Sequence, residues 1–238
     1  MKGMNFQNGV EFRIQVEGET WAQGDTLRGV LVSKPEQKLR VVLAEGIDKK
    51  VKSKTEGAYR ILDEKTSDSG SIQWEFPLSR HSRISDKTAS LYLLYGQSAD
   101  LVSLGSLRLN IEAHPHLIDL MEVITHHFRF ASKSISMGKH DFVEAKFSPP
   151  QAREWASLEF LSLQMKMSDT EIELQFLFQR KSIDATAGNL SAKVVKKSYS
   201  RTLALKKLLH EFNQRVNKDQ FTEVVESVIA EYRELSWI

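Results

Sequence analysis

Four of the seven histidines lie between residues 114 and 127, near the middle of the chain. His114 and His116 flank Pro115, and His126 and His127 are adjacent. A zinc site needs roughly three or four ligands that converge tetrahedrally. Two ligands on one helix are about three or four residues apart, whereas adjacent residues point in different directions. The spacing therefore favours a helix start and favourable charges at its other end over a metal site. His81, His140 and His210 have no partner visible in the sequence.

Motifs for catalysis are absent from the sequence. It contains no G-x-S-x-G, no Walker A segment and no G-x-G-x-x-G. It also contains no cysteine, which excludes disulfides, thiolate metal sites and a cysteine nucleophile. Glu171 and Glu173 alternate with apolar residues and are typical of the solvated face of a strand. We expect no catalytic residue, no cofactor and no metal, and hence a protein that is not an enzyme.

The overall composition gives no reason to expect a nucleic-acid or membrane partner. The 238 residues carry a net charge of +2 and are 41% hydrophobic, so a sizeable core is expected without a global attraction to nucleic acid or membrane. The first residues, MKGMNFQNGVEF, contain no apolar segment typical of a secretory signal. No apolar run approaches the roughly 18 residues that span a bilayer. We therefore expect a cytoplasmic protein.

Hydrophobic residues recur at every second position through the first half of the chain. Rows of this kind begin at Phe12, Leu39, Ile72, Leu91 and Leu107. Alternation places one row of side chains on one face of a strand, and turn residues such as Gly24-Asp25 separate the rows. Short strands with regular turns predict a β-sandwich or barrel.

The period changes once and then returns to two. Apolar residues from Leu117 to Phe128 form one helical stripe, with Pro115 at the first helical position. We predict one short helix at about residues 115–127. Strand patterns resume at Phe128, at 142–147, at 158–165 and at 172–178. The fold class predicted is all-β, with two β-sandwich domains joined near a short helix and a helical C-terminal extension.

The sequence favours four segments. These are an N-terminal sandwich at 1–113, the helix and a second sandwich at 114–182, a polar linker at 183–198, and two amphipathic helices at 199–238. The first helical stripe comprises Leu205, Leu208, Leu209, Phe212 and Val216. The second comprises Phe221, Val224, Val225, Val228, Ile229, Tyr232 and Leu235, with Asn217 or Asp219 as its cap. An apolar stripe must be covered, so we predict partner binding or self-association through this second stripe.

A basic stretch supports a second hypothesis. From Arg180 to Lys218 there are ten Lys or Arg residues against two acidic residues, which suits phosphate groups or anionic lipid along residues 193–207. The last helix is acidic, so the two helices could instead neutralise each other in a hairpin. The near-zero net charge favours the hairpin or a protein partner over nucleic acid. We expect Trp155 and Trp237 to be core residues rather than exposed anchors.

Several segments, taken in order, resemble a known family. WAQGDTLRGV at 21–30 is similar to the arrestin-type opening, where a Gly-acidic turn leads into a Gly-Val strand, and Phe76 to Leu78 match its Phe-Pro-Leu strand. IEAHPHLIDLMEVITHHFRF at 111–130 resembles the interdomain helix of the bacterial sporulation-control protein M family. DFVEAKFSPP at 141–150 and SLEFLSLQM at 157–165 resemble its second-domain strands. The chain departs from the family at His126-His127, where Leu-Gly is usual, and in its longer C-terminal helical pair.

The resemblance implies two arrestin-like domains hinged near the helix, a regulatory or scaffolding role, and no catalytic site. We therefore favour a non-enzymatic adaptor that binds protein partners through sheet edges and C-terminal helices. The alternative is a binder of nucleic acid or anionic membrane through residues 193–207.

Overall fold

The fold was obtained as a computed structural model, which describes residues 1–186 and 189–234. The chain divides into two compact units, Met1–His114 and Pro115–Ile238. The division lies next to the boundary expected at residue 113, where the strand period gives way to the helical one. Within the described residues, no helix combines the length and apolar character that crossing a lipid bilayer requires.

The N-terminal unit is a β-sandwich of two antiparallel four-stranded sheets, as the alternating rows predict. The first sheet has the order β1-β2-β4-β7, formed by Lys2–Gln7, Val10–Val16, Thr26–Lys34 and Ser71–Pro77. The second has the order β6-β5-β8-β9, formed by Tyr59–Ser67, Leu39–Ile47, Ala89–Gly96 and Gly105–Arg108. Two short strands, β3 (Trp21–Ala22) and β10 (Ile111–Glu112), pair in parallel.

The main core of this unit lies between its two sheets. It contains the inward rows of the strands, including Phe12, Leu31, Phe76 and Leu93, all completely buried. Strands β5 and β8 are also covered on their outer faces, where a smaller cluster forms around Tyr92. Helix α1 (Asp48–Lys52) and a single 3-10 turn (Leu101–Ser103) contribute side chains to that cluster. Burial on both faces explains the continuous apolar runs at residues 41–44 of β5 and 91–95 of β8.

Two glycines of the segment 21–30 have distinct structural roles. Gly24 has φ +93°, which suits glycine, and the next residue, Asp25, accepts a hydrogen bond from the Ala22 N–H at 2.7 Å. A Cβ on Gly29 would come within 2.5 Å of the Trp74 ring. The first glycine therefore makes a turn, and the second makes room for an indole in the core.

The C-terminal unit has one five-stranded antiparallel sheet in its described part, where the sequence predicted a second sandwich. Its order is β11-β12-β13-β14-β15, formed by Ala131–Met137, Val143–Ser148, Leu158–Met167, Glu171–Thr186 and Asn189–Ala204. Short 3-10 turns lie at Lys139–Asp141 and Arg153–Trp155. Helices, rather than another sheet, cover one face, because the C-terminal sequence supplies an amphipathic helix long enough to do so.

Two helices of this unit match the sequence patterns. Helix α2 (Pro115–Glu122) continues into a π-helical turn (Val123–His127), which together occupy the predicted residues 115–127. The last helix, designated α4, spans Lys218–Glu234, and the side chain of Asn217 accepts a hydrogen bond from the Gln220 N–H at 3.3 Å. Asn217 is therefore the capping residue.

Two C-terminal predictions are corrected by the structure. The segment 183–198 was expected to be a linker, but its described residues belong to β14 and β15. The preceding stripe was expected to form a long helix, but only Leu205–Leu208 is helical, as α3. Leu209 then pairs with Val216 in an isolated bridge, and Phe212 is 100% exposed. The helical stripe gave a wrong prediction because Leu205, Leu208 and Val216 are buried by a short helix and a bridge rather than by one continuous helix.

Candidate protein-binding surfaces

The free edges of the C-terminal sheet are the first candidate surface. Among the described strands of this sheet, β11 and β15 each pair with only one neighbour. Such a strand presents N–H and C=O groups to which an extended peptide can add as another strand. In β11, Lys133 and an irregularity between Ser132 and Ser134 disfavour this addition. The longer β15 is therefore the stronger candidate.

Strand β15 forms a long ribbon with β14. Their register runs from Glu171 opposite Ala204 to Thr186 opposite Asn189. Strand β13 accompanies β14 only as far as Arg180, which lies opposite Val195 of β15. The part of β15 backed by a multistranded sheet is thus residues 195–204, and we refer to it as the β15 edge.

Strand geometry divides the basic stretch between two faces. Lys197 and Arg201 lie on the face of Tyr199, whose ring is 5.8 Å from that of Phe178, whereas Lys196 lies on the opposite face. Arg201 forms an ion pair with Glu231 of α4. Lys206 and Lys207 follow in α3 and are exposed. The cations at 193–207 therefore do not form one continuous stripe.

The apolar stripe of α4 faces the interior of its own unit. Tyr232 stacks on Phe178 of β14 with ring centroids 4.3 Å apart. Lys218 at the start of the helix lies 2.8 Å from Glu122 of α2. Of the predicted partner-binding residues, Phe221, Val225, Val228, Ile229 and Tyr232 are buried, Val224 is half-buried, and Leu235 lies outside the described residues. Partner binding through this stripe stays a prediction, and it would require the helix to leave the sheet.

The histidines occupy separate environments. The backbone N–H of His114 donates to the Gln23 side chain at 3.1 Å. His126 and His127 end the π-helical turn, and Nε2 of His127 lies 4.0 Å from a carboxylate oxygen of Glu226. In residues 1–186 and 189–234, no cluster of three or more His, Cys, Asp or Glu side chains is arranged to hold a metal ion. We infer helix-end electrostatics for the adjacent pair.

A polar network in the N-terminal unit was not found from the sequence. The Tyr92 hydroxyl donates to Asp48 at 2.9 Å, and Nε of Arg108 donates to the other oxygen of that carboxylate at 3.2 Å. Burial, together with the Asp48 carboxylate, raises the pKa of Tyr92 to about 12. The tyrosine therefore stays a neutral donor that ties α1 to β8. These residues are distant in sequence, so no local pattern indicates the contact.

Trp155 is buried, as expected from the sequence. Its ring is 5.2 Å from Phe130 in an edge arrangement and 6.4 Å from Tyr232 in a stacked one. The residue joins the 3-10 turn to α4 rather than projecting as an exposed anchor.

Comparison with known proteins gives one line of support for the fold. No family model and no curated protein sequence matches the chain. Among solved structures, the chain is similar to Spo0M, the sporulation control protein from Bacillus subtilis, with a TM-score of 0.59 and 12% sequence identity. The match covers 94% of this chain and 98% of that protein. The resemblance to the sporulation-control protein M family therefore holds at the level of the mostly β fold.

Proposed function

We propose that the protein is a non-enzymatic, arrestin-like adaptor or scaffold with a regulatory role. The similarity to a sporulation control protein supports the regulatory class. The observation that carries the binding role is the β15 edge, which has no neighbouring strand on its outer side among the described residues. A partner segment in extended conformation adds there as a sixth strand, and its backbone satisfies the unpaired groups of β15.

The segment between α3 and α4 supplies a second contact. Phe212 is fully exposed there, and exposed lysines precede it at Lys206 and Lys207. An exposed aromatic side chain buries a large apolar area in a complex, whereas the lysines favour an acidic partner. The C-terminal helical region thus contributes to partner binding without detaching α4.

Adjacent proline substitutions test the edge. Backbone groups of successive residues in β15 point alternately toward β14 and away from it, so Lys197→Pro and Ser198→Pro differ in which N–H they remove. The variant that loses the outward N–H should melt like the wild type. The same variant should capture less of the partner in a quantitative pull-down from the native cell.

Salt separates this function from the alternative. A complex formed mainly through strand addition should weaken modestly at high salt, as its lysine contacts are screened, whereas a nucleic-acid or anionic-membrane complex through residues 193–207 should weaken steeply. Full capture by both folded proline variants, or capture that disappears with moderate salt and after nuclease treatment, would contradict strand addition.

A further inference from the structure

The first strand of the N-terminal unit is an edge strand with exposed apolar side chains. Among the described strands, β1 pairs with β2 alone. Met4 is 58% exposed and Phe6 is 66% exposed. Asn5, which lies between them, instead faces inward, where its Cβ approaches Gly105 of the second sheet. Since side chains alternate along a strand, Met4 and Phe6 share the outer face of the sheet.

The backbone groups of these same two residues point away from β2. The Val16 N–H donates to the Met1 carbonyl at 2.9 Å, so the positions of β1 that bond to β2 are the odd-numbered ones. The N–H and C=O groups of Lys2, Met4 and Phe6 therefore point out of the sheet, and no other described backbone group bonds to them. Unpaired backbone groups and apolar side chains thus occur at the same positions of β1.

The other edge strands of this unit carry protection that β1 lacks. Strand β6 bears Asp63, Glu64 and Lys65, and its register with β5 contains an irregularity. Strand β7 ends at Pro77, and β9 has only four residues. Charges, irregularities, prolines and short length all oppose pairing between edges. Strand β1 pairs with β2 without an irregularity and has a single charged residue, Lys2, so it is the edge most open to another strand.

We propose that β1 pairs antiparallel with β1 of a second copy of the chain, which joins their two four-stranded sheets into one continuous sheet. A two-fold axis beside Met4 brings all the outward backbone groups into use. Met4 then faces the second copy's Met4, and Lys2 faces the second copy's Phe6. Three facing pairs that exchange two bonds each give roughly six backbone hydrogen bonds across the axis.

Side chains complement one another in this register. Methionine lies opposite methionine, and each Phe6 lies diagonally beside the second copy's Met4, which is a favourable arrangement of sulfur and aromatic ring. Lys2 meets a Phe6 ring rather than the other Lys2, so like charges stay apart. The exposed apolar patch of each copy is thus covered by the same patch of the other, as a two-fold interface requires. The inference is independent of partner binding at the β15 edge.

Sedimentation velocity of the full chain tests the pairing. The wild type should show a monomer–dimer equilibrium between about 1 and 100 µM, the range typical of a modest interface. Met4→Lys places two like charges directly opposite each other across the axis and should weaken the dimer at least about tenfold, as should Met4→Glu. A wild type that stays monomeric over this range would overturn the proposal and leave β1 to a strand of a different protein.

Mixing the two charge variants locates the axis. An equimolar mixture of Met4→Lys and Met4→Glu should dimerise within about threefold of the wild-type affinity, because opposite charges then face each other. Ile61→Lys is the matched control: it adds the same charge at a 45% exposed residue of the edge strand β6 and should leave the affinity within about twofold.

Circular dichroism melting checks that each variant is folded, as expected for substitutions at exposed positions. Three results would contradict pairing at β1. These are a Met4→Lys dimer as strong as that of the wild type, a mixture that dimerises no better than either charge variant alone, and equal weakening by Ile61→Lys.

Discussion

The ring of Tyr232 stacks on the ring of Phe178, with centroids 4.3 Å apart and planes inclined by 13°. Phe178 belongs to the central part of β14, and Tyr232 lies two residues before the end of α4. This contact fixes the last helix to the sheet near the far end of the chain. The helix is consequently an integral part of the C-terminal unit, and removing it should lower the stability of the sheet.

Tyr232→Ala should destabilise the C-terminal unit by about 3–5 kcal/mol, as expected when a buried aromatic ring is truncated. Tyr232→Phe is the matched control, because it keeps the ring and loses only the hydrogen bond with Ser157, at a cost of about 1 kcal/mol. Denaturant unfolding followed by circular dichroism measures both. Equal stabilities of Tyr232→Ala and Tyr232→Phe would show that the stacked ring is not what holds the helix.

Val225→Asp should prevent the C-terminal unit from folding cooperatively. Val225 is 1% exposed, and a carboxylate there would lose its hydration, so we expect a cost above about 3 kcal/mol. Ser227→Asp adds the same charge two residues later on the exposed face of α4 and should change stability by less than about 0.5 kcal/mol. Thermal melting of the two variants is the measurement. If Val225→Asp melted as cooperatively as the wild type, the helix would not be packed on the sheet.

Gly29→Ala should destabilise the N-terminal unit. The added methyl would lie within 2.5 Å of the Trp74 ring and also against the backbone carbonyl of Gln15, so overpacking of about 1–3 kcal/mol or more is expected. Gly138→Ala, in the other unit, is the milder comparison, because its φ of −84° suits alanine and its nearest neighbour, the Phe142 carbonyl oxygen at 3.3 Å, needs to shift by only a few tenths of an ångström. Denaturant titration followed by tryptophan fluorescence should separate them. A stable Gly29→Ala protein would mean that Trp74 does not occupy the space above Gly29.

Ionisation of Tyr92 should lower the stability of the folded protein at high pH. Its pKa is raised to about 12 in the folded state, so its contribution is complete below the unfolded value of about 10. The contribution is lost as the pH rises through the folded value, because the unfolded chain releases the proton first. Absorbance titration of phenolate should show a component near 12 that disappears in Tyr92→Phe.

Asp48→Asn distinguishes the causes of that shift. Loss of the carboxylate should move the Tyr92 component to a lower pKa, while burial keeps it above the ordinary value. An unchanged titration in Asp48→Asn would show that the hydrogen bond between these two side chains is absent in solution.

The hydrophobic periodicity of the sequence was enough to predict several strands and helices. The alternating rows from Phe12 to Leu109 predict the N-terminal sandwich, because one face of each strand must be buried. The stripe from Leu117 to Ile124 predicts the helix at 115–127, and the stripe from Phe221 to Tyr232 predicts α4. The candidate binding surfaces could not be predicted from the sequence in this way. An edge is defined by the strand that is missing beside it, and no residue type marks that position.

The sequence by itself determined the mostly β character, the place where the chain divides and the amphipathic nature of its last helix, because each follows from a local hydrophobic period. Tertiary structure alone decided that the described residues of 183–198 join the ribbon of β14 and β15, since small and polar residues pair along a neighbouring backbone without a hydrophobic row of their own. It also decided that α4 covers a sheet instead of remaining free for a partner. Periodicity tells which face of a helix must be buried, but the identity of the covering surface depends on contacts such as Tyr232 with Phe178, between residues far apart in the chain.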